Sequence, residues 1–479
     1  MAPPIVAAKA TVSIPLYTCD FDPLEPSRLV IGGGGGASRT GVGNKIIIYD
    51  ASQPRDLKIV AELELSKNED NPTSLAVGKN HLIYAGINSS PKEIEKGRNR
   101  HFRVYEIQST DGEEKRDEDV ESSELKIFER STCSLFSGKD EDIYQRITRL
   151  ATAYPEYQSQ LGVVTTGLAQ KHEIIIFETK GSNPPSVRDT LRIEKEAVDV
   201  DIFQIDDKNF IFAYCDENNI YTKRIGPQLE NEQLQCIYKI QPPTNKMKAK
   251  ISCLRSIRWL VENHIIALTN LHGNSGVTLS IIKCSLERAA RRQVINFFRL
   301  PRRLKKATGL CLTNLTYENR DKVQGFTQFV LAVAGHDRSI FLFTVDAKFC
   351  AGKYIFSAIT PFCTFQNVHP LQITSLAFSG ICSVDSPTKS NLKPLKLCLA
   401  SVGISNTVVV HTIPLIPINS PVKNGQKKSI CYVVALPSRK KVKIILFGIS
   451  FMAVLLISIL LQGLLNKSSG TPKRLDERS

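Results

Sequence analysis

The residues with the clearest chemical potential form a run of glycines near the N-terminus. Residues 29–49 read LVIGGGGGASRTGVGNKIIIY, with consecutive glycines at Gly32–Gly36 and two more at Gly41 and Gly43. Glycine reaches backbone conformations that other residues avoid, so such a run can turn several carbonyl oxygens towards one point. A ring of carbonyls suits a large monovalent cation such as potassium. The absence of acidic residues up to Lys45 argues against calcium or magnesium. A surface loop without a binding role is the alternative.

The same glycines do not form a phosphate-binding motif. Gly36 and Gly41 have the P-loop spacing, but Val42 stands where that motif requires lysine. The dinucleotide-binding pattern is partly met, yet that motif must open a helix, and Ile46–Tyr49 reads as a strand. The chain also lacks His-Glu-x-x-His, Gly-x-Ser-x-Gly and metal-spaced cysteine and histidine clusters. The sequence therefore predicts a protein without covalent chemistry, not an enzyme.

The elements that must position this loop are β-hairpins. Seven segments each consist of two runs rich in β-branched and aromatic residues around Gly, Asn or Asp turns. They are Arg28–Asp50, Lys79–Ile107, Leu161–Glu178, Asn209–Ile225, Asn263–Leu286, Phe329–Val345 and Leu397–Ile413. Their regular recurrence predicts an all-β, seven-bladed WD-repeat-like β-propeller, with each hairpin as the outer part of a four-stranded blade. A pair of β-sandwiches is the alternative architecture.

Composition and charge limit the partners. The chain has 479 residues, 42% hydrophobic and 23% charged, with a formal net charge of +15. Lys283–Lys306 is strongly basic, but only Phe297 and Phe298 supply aromatic rings there for stacking on bases. We therefore expect no nucleic acid partner. The cysteines are scattered within apolar runs, which is typical of reduced, buried thiols in the cytosol.

One segment near the C-terminus has the properties of a membrane anchor. Ile444–Leu465 carries no charged residue, and as a helix it would span roughly 33 Å, enough to cross a bilayer core. Basic residues precede it at Arg439, Lys440, Lys441 and Lys443. This bias predicts a cytosolic N-terminal side and a lipid-embedded single span. The predicted organisation is a cytosolic propeller at 1–420, a basic juxtamembrane linker at 421–443, a transmembrane helix at 444–465 and a lumenal tail at 466–479.

Several of these features together resemble a known family. They are the glycine loop, the Asp70-Asn71-Pro72-Thr73 stretch, the weak propeller pattern, and the basic Leu436–Lys440 before a C-terminal span. The combination is similar to the endoplasmic-reticulum guanine nucleotide exchange factors that activate Sar-type small GTPases to start COPII vesicle formation. The resemblance extends from about residue 10 to the end of the span.

The resemblance implies a function and a set of site residues. The protein would bind a Sar-type GTPase in its GDP-bound and nucleotide-free states, at the endoplasmic reticulum membrane. The glycine loop, residues 32–45 in the first blade, would hold a structural potassium ion and protrude towards the GTPase. The implied exchange residues are Val42, Asn44 and Pro72. The implied ion ligands are Gly34, Gly35, Gly36, Gly41, Gly43 and Asn44. The alternative is a membrane-tethered scaffold that binds the GTPase or coat components without exchange activity.

Overall fold

The computed structural model describes residues 4–37, 41–110, 124–138, 142–154, 156–179, 185–229, 232–240, 251–284, 294–315, 326–383, 395–419 and 430–434. The strands of the first half are β1 (Val6–Thr11), β2 (Leu16–Phe21), β3 (Arg28–Gly34), β4 (Asn44–Asp50), β5 (Lys58–Leu65), β6 (Ser74–Val77), β7 (Leu82–Gly86), β8 (Phe102–Thr110), β9 (Glu124–Cys133), β10 (Tyr144–Leu150), β11 (Leu161–Gly167), β12 (His172–Glu178), β13 (Val187–Ile193), β14 (Asp199–Gln204) and β15 (Phe210–Cys215).

The strands of the second half are β16 (Asn219–Ile225), β17 (Gln235–Lys239), β18 (Cys253–Val261), β19 (His264–Asn270), β20 (Val277–Lys283), β21 (Val294–Arg299), β22 (Ala307–Asn314), β23 (Phe326–Gly335), β24 (Ile340–Cys350), β25 (Lys353–Phe356), β26 (Thr360–Phe365), β27 (Ile373–Ser383), β28 (Leu395–Gly403), β29 (Thr407–Asn419) and β30 (Ile430–Val434). The helix α1 (Pro91–Glu95) and short 3-10 turns at Lys79–His81 and His272–Asn274 lie in connections.

These strands form seven antiparallel sheets arranged as a ring of blades. The first five blades are β2–β5, β6–β9, β10–β13, β14–β17 and β18–β21. The sixth is β22–β23–β24, completed by β25 and β26, which pair with different parts of β24. The first strand of each blade contacts the first strand of the next, and β2 contacts β27 of the seventh blade. The predicted propeller is therefore confirmed, and the pair of β-sandwiches is excluded.

The ring closes by joining the two ends of the domain. In the seventh blade, β27, β28 and β29 come from the C-terminal side, and β1 adds the fourth strand. The pairing of β1 with β29 runs from Val6 opposite Thr412 to Thr11 opposite Thr407. Backbone hydrogen bonds between strands that are distant in sequence therefore close the domain.

Each interface between neighbouring blades holds its own hydrophobic cluster. In β3, Leu29 and Ile31 face the seventh blade, whereas Val30 faces the second. In β4, Ile47 faces the seventh blade, while Ile46 faces the second. Because both faces of these strands are buried, their sequences are continuous apolar runs rather than alternating ones. Each fully buried side chain of this size contributes about 1.5–3 kcal/mol.

The predicted hairpins exist, but their place within the blade was wrong. Each is the middle pair of its sheet, as β3–β4 is in the order β2–β3–β4–β5. The middle strands have neighbours on both edges and on both faces, so they carry the strongest apolar pattern. The outermost strands are exposed on alternate residues, as in β13.

Two predicted boundaries also differ or fall outside the described residues. β30 lies within the predicted linker 421–443, where it pairs with the extended end of β29. Among the described residues no helix is long and apolar enough to cross a membrane. The predicted span 444–465 and tail 466–479 lie outside those residues.

Candidate interaction and cation site at the glycine loop

The glycine run divides between a strand and a loop. Gly32, Gly33 and Gly34 belong to β3 and pair with Ile46, Lys45 and Asn44 of β4. The loop itself therefore comprises residues 35–43, shorter than the predicted 32–45, and residues 38–40 lie outside the described part of the chain. It lies in the first blade, as predicted, but it joins the second and third strands rather than the outer pair.

Close packing accounts for two of the strand glycines. A Cβ on Gly33 would lie 2.0 Å from the carbonyl oxygen of Pro15. A Cβ on Gly34 would lie 2.1 Å from Oδ1 of Asn44, and Gly34 has a φ of 149°. The N–H of Gly34 donates to the Pro15 carbonyl at 3.0 Å. Any side chain at either position would displace the backbone or Asn44.

Asn44 fastens the base of the loop. Its side chain is only 1% exposed. Its Oδ1 accepts the backbone N–H of Gly36 at 2.9 Å, while Nδ2 donates to the carbonyls of Ser66 at 3.2 Å and Glu69 at 3.0 Å. Asn44 therefore links the glycine loop to the segment that leads from the first blade into the second.

That connecting segment is itself held in place. Nη2 of Arg103 pairs with the Glu69 carboxylate at 2.8 Å, and the N–H of Asp70 donates to the Asn88 carbonyl at 3.0 Å. Pro72 is buried, and its ring carbon lies 2.9 Å from where a Cβ on Gly32 would be. The predicted site residue Pro72 is thus in direct contact with the glycine run.

A carboxylate lies beside the loop. Oδ1 of Asp70 is 2.8 Å from where a Cβ on Gly36 would be, and it accepts the N–H of Asn71 at 2.8 Å. Burial raises the pKa of Asp70, which means that its surroundings disfavour the negative charge. Within the described ranges no lysine or arginine forms an ion pair with it. A bound cation would offset this cost.

Few charged donor atoms lie near Asp70 among the described residues. The described residues contain no group of three or more His, Cys, Asp and Glu side chains able to hold a metal. The side-chain oxygens close to Gly36 are the carboxylate of Asp70 and Oδ1 of Asn44, which accepts the Gly36 N–H. One negative charge with neutral oxygens fits potassium better than a divalent ion, which usually recruits several carboxylates.

The remaining predicted residues lie further along the loop. Val42 is half-buried and packs, with Val12 and Leu57, on the hydrophobic cluster between the seventh and first blades. Gly41 is exposed with a φ of 80°, and nothing lies within 4 Å of a Cβ built there. A Cβ on Gly43 also has nothing within 4 Å, so packing does not explain this glycine.

The structure thus brings together Gly34, Gly36 and Asn44, places Pro72 against Gly32, and leaves Gly41 and Val42 on the outer part of the loop. Sequence reasoning assigned no role to Asp70, although it lies two residues before Pro72 in the stretch that carried the family resemblance. It also missed Ser66 and Glu69, since their backbone carbonyls are the functional groups and carry no residue-specific signal.

Comparison with solved structures finds chains of similar fold. A chain from "COPII on membranes, outer coat vertex" is 11% identical with a TM-score of 0.50, covering 87% of this chain and 88% of that one. Sqt1 from Chaetomium thermophilum is 11% identical with a TM-score of 0.47, covering 86% and 98%. The Dos1 propeller is 8% identical with a TM-score of 0.42, covering 85% and 95%.

Neither a protein-family model nor a curated protein sequence matches this chain. At this level of identity, the likeness to the coat vertex chain establishes the fold alone. Together with the seven sheets and the closure of the ring, it identifies the domain as a seven-bladed β-propeller.

Proposed function

We propose that this protein is a guanine nucleotide exchange factor for a Sar-type small GTPase, anchored in the endoplasmic reticulum membrane and active in starting COPII vesicle formation. The observation that carries the proposal is that hydrogen bonds from Asn44 hold the glycine loop in one conformation. Two residues implied by the family resemblance contact the glycine run: Asn44 binds Gly36, and Pro72 packs against Gly32. No covalent step is involved.

The loop acts by being rigid before it binds. An exchange factor must stabilise the nucleotide-free GTPase more than the GDP-bound form, through contacts made only in that state. A loop held by Asn44 loses little conformational entropy on docking. A potassium ion between Asp70, the Asn44 amide and the glycine carbonyls would add further rigidity, and it would compensate the disfavoured carboxylate.

Val42 supplies the apolar contact in this proposal. Its side chain is half-buried on the propeller, so part of its surface remains for a partner, beside the exposed Gly41. Contact with a switch segment of the GTPase would displace groups that hold magnesium and phosphate. Anchoring by 444–465 would place the activated GTPase near the bilayer, where it can insert an amphipathic helix.

A propeller scaffold is the second candidate. The fold supports this reading directly, because propellers present broad loop surfaces to protein partners. In this case the glycine loop would bind the GTPase or a coat component without accelerating GDP release. The two candidates differ only in whether binding changes the nucleotide state.

Release of a fluorescent GDP analogue from a Sar-type GTPase tests the proposal. We expect the full chain, reconstituted in vesicles, to accelerate release, and to do so more strongly in potassium than in sodium buffer. Binding without acceleration would support the scaffold. Equal acceleration in both buffers would support the exchange activity but contradict the proposed potassium site.

Two valine-to-serine variants distinguish a specific role of the loop in exchange from a general effect of the substitution. Val42→Ser is expected to slow exchange about tenfold, the equivalent of losing most of one buried valine contact. Val187→Ser, at an exposed position of β13, is expected to leave the rate unchanged. Equal effects of both substitutions would argue against a role for Val42.

A further inference from the structure

In the described part of the sixth blade, a two-stranded hairpin extends beyond the other strands of the sheet. β24 continues to Cys350, whereas among the described residues its pairing with β23 ends at Lys348, opposite Phe326, and β26 pairs only with its first half. β25 returns alongside the extension, from Lys353 to Phe356. The tip residues Ala351 and Gly352 have φ of 50° and 74°, as a tight type I′ turn requires.

The register gives this hairpin two different faces. Phe349 lies opposite Tyr354, with ring centroids 4.8 Å apart, and Lys348 lies opposite Ile355. Because successive residues of a strand alternate between faces, one face carries the two aromatic rings. The other carries Ile355, with Lys348 opposite it and Lys353 two residues before it, together with Cys350. Ile355 is 61% exposed and Tyr354 is 38% exposed, and both lysines are exposed.

This combination matches a bilayer interface better than a protein partner. Tyrosine places an apolar ring and a polar tip at the interface, and lysine buries its stem while its ammonium group reaches the headgroups. The cores of protein–protein interfaces are depleted of lysine. An exposed isoleucine flanked by two lysines is instead suited to an anionic lipid surface.

The position at which the chain leaves the propeller also indicates a lipid bilayer as the partner of this hairpin. The N–H of Val434 donates to Oε1 of Gln328 at 2.8 Å. Gln328 is two residues from Phe326, which pairs with Lys348 at the base of the hairpin. Residues 435–443 separate Val434 from the apolar segment at Ile444, and an extended chain of that length reaches about 30 Å. The basic residues of this connection are Arg439, Lys440, Lys441 and Lys443.

We propose that the hairpin 348–356 docks on an anionic bilayer surface, with Tyr354 and Ile355 in the interfacial region and Lys348 and Lys353 at the lipid phosphates. This inference rests on the membrane anchoring in the proposed function. It gives the propeller a second attachment point and therefore a fixed orientation. The hairpin joins third and fourth strands, whereas the glycine loop joins second and third, so the two lie on opposite faces of the ring. Docking leaves the glycine loop open to a GTPase arriving from the cytosol.

The single tryptophan of the sequence allows a direct test. Trp259→Phe combined with Tyr354→Trp gives a full chain whose only indole is on the hairpin. In vesicles of phosphatidylcholine and phosphatidylserine with brominated acyl chains, we expect this fluorescence to be quenched. The control combines Trp259→Phe with Phe128→Trp, at a position of the second blade that is 41% exposed, and is expected to remain unquenched.

Replacing Lys348 and Lys353 tests the electrostatic contribution to membrane docking. A lysine near an anionic surface contributes roughly a fivefold effect on membrane affinity, so Lys348→Gln with Lys353→Gln should lower the ratio of docked to undocked hairpin about 25-fold. Quenching that persists unchanged would overturn the role of the lysines. No quenching of the Tyr354→Trp protein, when flotation shows it bound to the vesicles, would overturn docking but not anchoring. Failure to float would overturn the anchoring itself, while nucleotide release in detergent would still report on the exchange activity.

Discussion

Oδ1 of Asn44 accepts the backbone N–H of Gly36 at 2.9 Å, across the opening of the glycine loop. The same amide donates to the carbonyls of Ser66 and Glu69, so one buried side chain joins a loop of the first blade to the entry of the second. The conformation of the loop therefore depends on a residue outside the glycine run. This relationship gives the first prediction.

Asn44→Ala should weaken both stability and exchange. The substitution leaves one N–H and two carbonyls without their partner, and an unsatisfied buried group costs about 1–3 kcal/mol. We expect a lower free energy of unfolding in urea and loss of accelerated GDP release. Thr179→Val is the control, because it removes a buried hydrogen bond to the Gln160 carbonyl in the third blade. If the control lost exchange to the same extent, instability alone would explain the effect of Asn44→Ala.

Two glycines of the loop region should respond differently to alanine. At Gly34 the new Cβ would meet Asn44 at 2.1 Å, in a backbone conformation with φ 149°. At Gly41 nothing lies within 4 Å, so only the left-handed backbone is penalised, at about 1–2 kcal/mol. Gly34→Ala is therefore expected to lower the melting temperature more than Gly41→Ala. Equal shifts in thermal unfolding would show that the strand relaxes around Gly34.

Asp70→Asn should remove the response to potassium. Burial raises the pKa of Asp70 in the folded protein above its unfolded value of 3.8. The protonated carboxyl therefore stabilises the folded state below pH 3.8, and this stabilisation is lost as the pH rises through the folded pKa. At neutral pH in sodium we expect the variant to be more stable than the parent protein. Potassium should stabilise the parent and narrow this difference, by mass action on the folded state.

Calorimetric melting temperatures in matched sodium and potassium buffers measure this effect. Asp56→Asn, at an exposed position, serves as the charge control and should preserve the potassium response. A parent protein that melts at the same temperature in both salts would count against the cation site.

The pH dependence of stability should report on Asp20, in the inner strand of the first blade. Burial raises its pKa to about 6, although the Val77 N–H donates to its carboxylate at 3.0 Å. Since the pKa of Asp20 is raised in the folded protein, its protonated carboxyl stabilises the folded state below pH 3.8. This stabilisation is lost as the pH rises through about 6. Asp20→Asn keeps an acceptor for Val77 and removes the titration. Urea unfolding between pH 4 and 7 should show a flatter profile for this variant; an unchanged profile would assign the transition to another group.

Much of the fold could be predicted from local patterns. The middle strands of each blade are buried on both faces, so their apolar runs and turn residues mark all seven hairpins. The inner and outer strands carry weaker patterns, which is why the hairpins were placed at the outside of the blades. The closure of β1 on β29 has no local signature, because it joins residues about 400 positions apart in sequence.

The candidate site, like the fold, has features that the sequence predicts and features that only the tertiary structure shows. The sequence by itself determined that a glycine-rich hairpin lies in the first blade, because residue type alone decides where the backbone can turn without a Cβ. It also determined that Ile444–Leu465 is apolar enough for a membrane, which depends only on composition. Only the tertiary structure decided that Asn44, Asp70 and Pro72 meet at this loop, since their contacts require the first and second blades to pack together. It likewise decided that three of the glycines are strand residues, because their need for glycine comes from neighbours such as Pro15 that approach through folding.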